Sequence, residues 1–411
     1  MAWKMTSTMM VAAAIAALVA CDDDDTGAAA PPGVDAGTSD APTKGDDDDD
    51  DDDDSDAGAD AGKKPREAPV FLAADEYEDL IAIDPAFPFG VTQVHPADSN
   101  IVGSHWGSHG GPMVTTGAYG APSDGPKVIR WTVGGGATAD AQKTEVPFVK
   151  ASDLPSPFFY GADGMVDTPF GGLLSYTGAP PTFAGEALLY DADYTTVTSR
   201  AKTNGFYSGV GLRGAKGDLV VYSGLSELST AASVVTDNGL YAAPLCNGAL
   251  AGAAPCAEPH KLFAWAGSSG PVVTDAHGNV FVAASLSDGD TSDEVYALTT
   301  AQAFGGAAVA KVVVAAADTL GTASLAAIAP EDGAPGYVVG LGYAPDAPVH
   351  ASPYVESATA LAKGTAAPLA NAIERADGVD SLYVFTDDEG DLWLAVTKGT
   401  EGTFIELRRR P

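Results

Sequence analysis

From Pro69 onward, short apolar runs rich in Val, Leu, Tyr and Phe alternate with polar turns, and sustained helical periodicity is lacking. A single short helix is expected at Glu76 to Ile83. Two patterns recur along the chain. The first is a strand with an aromatic or polar step near its end: Val128-Ile129-Arg130-Trp131, Leu188-Leu189-Tyr190-Asp191, Leu240-Tyr241-Ala242-Ala243, Val295-Tyr296-Ala297-Leu298, Tyr354-Val355-Glu356-Ser357 and Phe404-Ile405-Glu406-Leu407. Their second residues follow one another at steps of 60, 52, 55, 59 and 50 residues. The second is a turn that leads into a strand, as in Gly278-Asn279-Val280-Phe281-Val282 and Gly390-Asp391-Leu392-Trp393-Leu394, and it lies upstream of the first in each repeat. A unit of this length suits four antiparallel strands, and such a unit must bury each face against a neighbour. The expected fold class is therefore all-β: a propeller of about six four-stranded blades over residues 68–411. Residues 69–95 are expected to supply a strand that closes the ring against the last blade. Tandem β-sandwiches are the alternative, because turn spacing alone can imitate the pattern.

Composition supports many short strands joined by turns: 48 glycines and 28 prolines in 411 residues, with 45% apolar residues for a core. The segments Trp131-Thr132-Val133-Gly134-Gly135-Gly136 and Ala303-Phe304-Gly305-Gly306 follow such strands. This strand-then-glycine pattern resembles the propeller repeats of bacterial lipoproteins, a resemblance that implies a fold and no particular activity.

The amino-terminal end reads differently. Lys4 precedes the apolar run Val11 to Ala20, which is too short to span a bilayer as a helix. It ends in Leu18-Val19-Ala20-Cys21, which resembles the bacterial lipobox of two aliphatic residues, a small residue and a cysteine. That resemblance implies cleavage before Cys21 and acylation of its thiol and new amino terminus, with more than one chain giving a stable anchor. Asp22 resembles an inner-membrane retention signal of enteric bacteria. Other lineages do not all follow that rule, and the expected location is the cell envelope, with the outer membrane or cell surface favoured.

Residues 22–67 hold 18 acidic and 4 basic residues, concentrated in Asp22 to Asp25 and Asp46 to Asp54, and almost no large apolar side chains. Such a segment cannot offset the entropy of ordering, so a disordered spacer is expected, in preference to a weak Ca²⁺-capturing tract. Residues 68–411 carry 38 acidic and 16 basic residues. That balance disfavours nucleic acid and anionic lipid as partners of the domain. The basic tail Arg408-Arg409-Arg410 is read as a solvated end.

Three cysteines are present. With Cys21 acylated, Cys246 and Cys256 form an even pair flanking a glycine- and alanine-rich insertion. A local disulfide is expected there in an oxidising compartment.

Candidate chemistry is sparse. His95, His105 and His109 are half of the six histidines and lie close in sequence. If 103–107 is a strand, His105 and His109 share a face and could ligate a metal such as Zn²⁺ or supply a base. The alternative is a glycine- and serine-rich loop with exposed histidines. Asp288, Asp290 and Asp293 make the most Ca²⁺-like loop, but it lacks the EF-hand glycine and distal glutamate, so a solvated turn is the stronger reading. Gly209-Val210-Gly211-Leu212-Arg213-Gly214 matches a dinucleotide fingerprint in letters only, because a strand follows where a helix is needed. The metalloprotease and nucleophile-elbow motifs are absent from the sequence. The expected function is a monomeric, non-catalytic binding or scaffold module for a protein or polysaccharide, with no resident cofactor. The alternative is a secreted metal-dependent hydrolase or lyase with its site in the propeller channel.

Overall fold

The computed structural model describes residues 67–411, apart from 98–100, 102–104, 108, 117–126, 135–138, 147–157, 160–164, 169–170, 179–184, 193–195, 204–205, 215–216, 225–237, 247–248, 251–259, 266, 268, 286–291, 306–308, 310–311, 321, 332, 343–346 and 358–359. Cys21, the linker to residue 66, Cys256, Asp288 and Asp290 lie outside the described residues.

A 3₁₀ turn at Ala74–Glu76 leads into β1 (Ile81–Ile83) and β2 (Phe89–Ala97). The helix expected at Glu76 to Ile83 is replaced by turn and strand. Ile81 is buried in a core cluster and β1 has a strand partner, so tertiary packing overrides the local pattern. Six antiparallel sheets follow. Blade 1 holds β3 (His105–Gly107), β4 (Gly111–Thr116), β5 (Lys127–Thr132) and β6 (Gln142–Val146). Blade 2 holds β7 (Phe158–Phe159) and β8 (Met165–Thr168), both paired with β9 (Gly171–Gly178), then β10 (Gly185–Tyr190) and β11 (Val197–Thr203). Blade 3 holds β12 (Phe206–Leu212), β13 (Asp218–Gly224) and β14 (Gly239–Cys246), with β15 (Ala249–Leu250) and β16 (His260–Ala264) sharing the outer edge of β14.

Blade 4 holds β17 (Ser269–Thr274), β18 (Val280–Ser285) and β19 (Ser292–Leu298), then helix α1 (Thr300–Phe304) and β20 (Val313–Leu320). Blade 5 holds β21 (Thr322–Ile328), β22 (Gly336–Gly342) and β23 (Val349–Ser357). β24 (Ala360–Lys363) and β25 (Leu369–Arg375) divide the edge of β23, and β1 adds to β25. Blade 6 holds β26 (Ser381–Thr386), β27 (Leu392–Lys398) and β28 (Glu401–Arg409), with β2 outermost.

The inner strands β3, β8, β12, β17, β21 and β26 contact one another in that order, and β26 returns to β3. The chain is a six-bladed β-propeller. The predicted closing strand is present: β2 pairs antiparallel with β28 from Phe89↔Arg409 to Ala97↔Gly402. Separate apolar clusters fill the junctions between blades. Tyr222 and Tyr241 stack at 5.5 Å between blades 2 and 3. Phe281 lies against Tyr354 between blades 4 and 5, and Trp131 against Phe404 between blades 6 and 1. Aromatic burial on both faces of a sheet is what a blade needs, because neither face meets water.

The recurring turn has a backbone cause. The hairpin from inner to second strand carries a left-handed glycine in every blade: Gly110, Gly171, Gly217, Gly278, Gly333 and Gly390. Only glycine adopts that region without steric cost, so the turn chemistry repeats even where the side chains drift. We call the end of the ring bearing these hairpins the turn face. A Cβ on Gly390 would stand 3.1 Å from Ala276 Cβ, so the blade 6 turn meets the blade 4 turn there.

Within the basic tail Arg408 and Arg409 are not solvated, whereas Arg410 is exposed. Arg409 is partly buried: its guanidinium lies over Phe89 at 5.1 Å and Tyr337 at 5.7 Å and donates to the Pro335 carbonyl at 2.9 Å. Arg408 Nε donates to Asp391 Oδ2 at 2.9 Å. Stacking holds Arg409 across the blade 5–6 junction, and ion pairing holds Arg408 within blade 6.

Closure by β2 predicts that removing residues 67–97 leaves an unpaired β28 and an unfilled junction. Thermal unfolding followed by circular dichroism is then expected to lose its single cooperative transition.

Candidate functional site

Two turns of the same design sit on the turn face. In Asp275-Ala276-His277-Gly278-Asn279, Asp275 Oδ1 accepts from His277 N at 3.0 Å and Asn279 N at 2.9 Å. In Asp387-Asp388-Glu389-Gly390-Asp391, Asp387 Oδ1 accepts from Glu389 N at 2.9 Å and Asp391 N at 2.8 Å. In each, the leading aspartate caps the loop and the positive-φ glycine turns it.

The second oxygen of each aspartate reaches farther. Asp275 Oδ2 accepts from Asn279 Nδ2 at 3.0 Å and from the buried Tyr354 hydroxyl of blade 5 at 2.6 Å. Asn279 Nδ2 also donates to Glu356 Oε1 at 3.1 Å, and His277 Nδ1 lies 2.7 Å from Glu356 Oε2. This joins blade 4 to blade 5. Burial and the Asp275 charge push the Tyr354 phenol well above its ordinary value. Burial alone would raise the Glu356 carboxyl, but hydrogen bonds from His277 and Asn279 outweigh it and hold it below the usual range.

In blade 6, Asp387 Oδ2 accepts from Trp393 Nε1 at 3.0 Å. Glu406 on β28 accepts from the Thr92 hydroxyl on β2 at 2.5 Å, and Arg408 Nε stands 3.4 Å from its other oxygen. Burial, then the neighbouring Asp391 charge, pushes the Asp387 carboxyl up to about 6. Burial likewise raises Glu406, held back by Thr92 and Arg408.

Among the described residues, two sets of three metal-capable groups each converge within 4.8 Å: Asp275, His277 and Glu356, and Asp387, Asp391 and Glu406. Both sets already hold donors. A cation entering the first would displace Asn279 or Tyr354 from the carboxylates, and one entering the second would meet the Arg408 guanidinium.

The three histidines singled out in the sequence are not among these sets, although His105 and His109 lie close enough to interact. His95 is fully buried on β2, with Nδ1 2.7 Å from the Ala139 carbonyl, Nε2 2.8 Å from Gln93 Oε1, and its ring stacked 6.0 Å from Trp393. Both nitrogens are thus engaged. Burial lowers its pKa, partly offset by the Ala139 bond. His105 begins β3, and His109 lies in the turn at residues 109–110 that leads into β4. His109 Nε2 stands 3.3 Å from the Trp131 carbonyl, and burial lowers its pKa. His105 is pushed down to about 4 by burial and by His109. Asp293 is in β19 and pairs with Ala284-flanking Ser285 in the sheet, and nothing is described of its side chain. Cys246 ends β14 opposite Ala249. Gly209 to Gly214 runs from β12 into a hairpin, with no helix after it.

Beside the blade 4–5 joint lies a cavity of about 570 Å³. Its walls include Pro330, Pro335, Pro353 and Val355, and its carboxylates are Glu331 and Glu356. In the sequence, Gly278-Asn279 shows only as a turn leading into a strand. Glu356 and Tyr354 lie 79 residues from His277 and Asp275 respectively, and no local motif links them.

No protein-family model matches the chain, and no curated protein matches it by sequence. Among solved structures, it is similar to the PQQ domain of pyranose dehydrogenase from Coprinopsis cinerea: 12% identity over 79% of this chain and 97% of that one, TM-score 0.42. The GH93 α-L-arabinofuranosidase of Fusarium graminearum gives 12% identity over 80% and 97%, TM-score 0.42. The Cps50 (Swd1) β-propeller domain of Myceliophteria thermophila gives 10% identity over 76% and 98%, TM-score 0.36. Likenesses this distant carry no inference about activity.

Tyr354→Phe deletes one donor to a buried carboxylate and is expected to cost about 1–3 kcal/mol in denaturant unfolding, with β content unchanged. Titration by NMR is expected to place the Asp387 carboxyl near pH 6 and the His105 imidazole near pH 4. The sign for His105 follows from its depressed value. The unfolded chain binds its proton below about 6.5 and the folded chain does not until about 4, so stability falls as pH drops through that window. His105→Gln should remove this part of the acid sensitivity.

Proposed function

We propose that this chain is an envelope-anchored, non-catalytic binding module. Acylated Cys21 inserts in the bilayer, the Asp-rich linker acts as a spacer, and the propeller holds a protein or polysaccharide on its turn face. The observation that carries this reading is the way Asp275 is used: each of its two oxygens accepts two hydrogen bonds, and one bond crosses to the next blade. A carboxylate so committed fixes a turn in place and is a poor general base. The turn face is thus a rigid platform with a cavity in it, the arrangement a binding surface needs. Acidic charge over residues 68–411 keeps nucleic acid from the list of partners. The outer membrane or cell surface is the proposed location. A Cys246–Cys256 disulfide would trim the insertion of blade 3.

The convergence of Asp387, Asp391 and Glu406 favours a second reading, a secreted metal-dependent hydrolase or lyase.

Metal analysis of the purified chain, dialysed without chelator, separates the two. The binding module is expected to return no stoichiometric metal, and about one Ca²⁺ or Zn²⁺ per chain would favour the enzyme. On cells, a photo-crosslinker at exposed Glu331 is expected to give a discrete adduct that a crosslinker at Lys398, at the other end of the blades, does not. No adduct from either position would count against a binding role. Cys21→Ser is expected to release the chain from the membrane fraction.

A further inference from the structure

We infer that the blade 5 cavity is a receptor for a primary ammonium group carried on an aliphatic stem, such as a lysine side chain presented by a partner. This rests on the binding-module reading and names the chemistry that one part of the turn face would recognise.

The cavity volume of about 570 Å³ is in the range that accepts a small ligand or a single long side chain. Its wall is apolar and stiff. Pro330, Pro335 and Pro353 contribute rings, and Val355, one of the few large apolar side chains exposed among the described residues, adds a branched methyl surface. Such a wall takes up methylene groups with little ordering cost, because prolines have few rotamers to lose.

The charged residues that line the cavity are Glu331 and Glu356, with no Lys or Arg among the lining, and His277 stands 2.7 Å from Glu356 at its edge. Glu356 is held in place by His277 and Asn279. Both of those groups approach from blade 4. Glu331 sits in a tight turn closed by the Ala334 N to Glu331 O bond at 2.7 Å, with Gly333 at φ +82°. Its carboxylate is exposed and has no ion-pair partner among the described residues. The nearby Arg409 is turned toward the Pro335 carbonyl, Phe89 and Tyr337. One oriented carboxylate and one unpaired carboxylate beside an apolar wall complement an alkylammonium in both charge and shape. An anion would be repelled, and a bare divalent ion would make no use of the proline and valine wall.

The test is calorimetric titration of the purified full chain with N-acetyl-lysine methylamide and with its neutral counterpart, N-acetyl-norleucine methylamide. The lysine derivative is expected to bind and the norleucine derivative to bind at least fivefold more weakly. Glu331→Gln, at an exposed residue outside every joint described above, is expected to weaken the lysine derivative by roughly fivefold, the effect of about 1 kcal/mol. Glu401→Gln, at the other end of blade 6, controls for the general acidity of the surface and is expected to change nothing. The inference is overturned if the lysine derivative shows no binding at millimolar concentration. Equal binding of the two derivatives, or equal loss in both variants, would also overturn it. The cell-surface crosslinking described above reads the binding role separately, so an adduct there alongside a failed titration rejects the ammonium site alone.

Discussion

The ring depends on one strand pairing. β2 enters blade 6 from the far end of the sequence and covers the open edge of β28 over eight register pairs. An unpaired edge strand would present a row of free N–H and C=O groups, and the junction between blades 6 and 5 would lose a wall. Several separate contacts depend on this pairing. Thr92 reaches Glu406, His95 stacks on Trp393, and Arg409 stacks on Phe89. Each joins a residue of β2 to one on β27 or β28 of the same blade, so all of them rest on the pairing.

A second economy lies in the turns. The same aspartate-led loop occurs in blades 4 and 6, with one oxygen capping the loop in each. The other oxygen has a different use in each case. In blade 4 it reaches Tyr354 in the next blade, and in blade 6 it reaches Trp393 in its own. Local chemistry thus sets the turn, and the neighbouring blade sets what the turn holds. Glu356 ends up beside a cavity for this reason: its orientation comes from His277 and Asn279 in another blade.

The repeat was legible in part because glycine carries it. Gly217, Gly278 and Gly390 stood in the turn pattern and are left-handed in the structure, and the alternation of apolar runs identified the strands. The closing strand was also legible: residues 69–95 read as a strand that closes the ring against the last blade, and β2 spans Phe89–Ala97 against β28. The histidines were not. His95, His105 and His109 are close in sequence, yet a tight turn separates the last two, and His95 spends both nitrogens on Gln93 and Ala139. Composition made Arg408 and Arg409 look like part of a solvated end, because ion pairs and ring stacking with residues elsewhere in the chain leave no local trace. Glu331, Glu356 and Tyr354 were invisible for the same reason, as they become neighbours of blade 4 only through the ring.

Closure has a temporal side as well. Thr92 and Glu406, joined across the seam, are 314 residues apart in the chain. During synthesis or export, β2 must therefore wait for nearly the whole domain before it finds its partner, and contacts of such long range form late and slowly. A chain that stops short of β28 leaves β2 unmated and its apolar face uncovered. The seam thus acts as a check on completeness: only a finished polypeptide can hide its edges from proteases and from other chains.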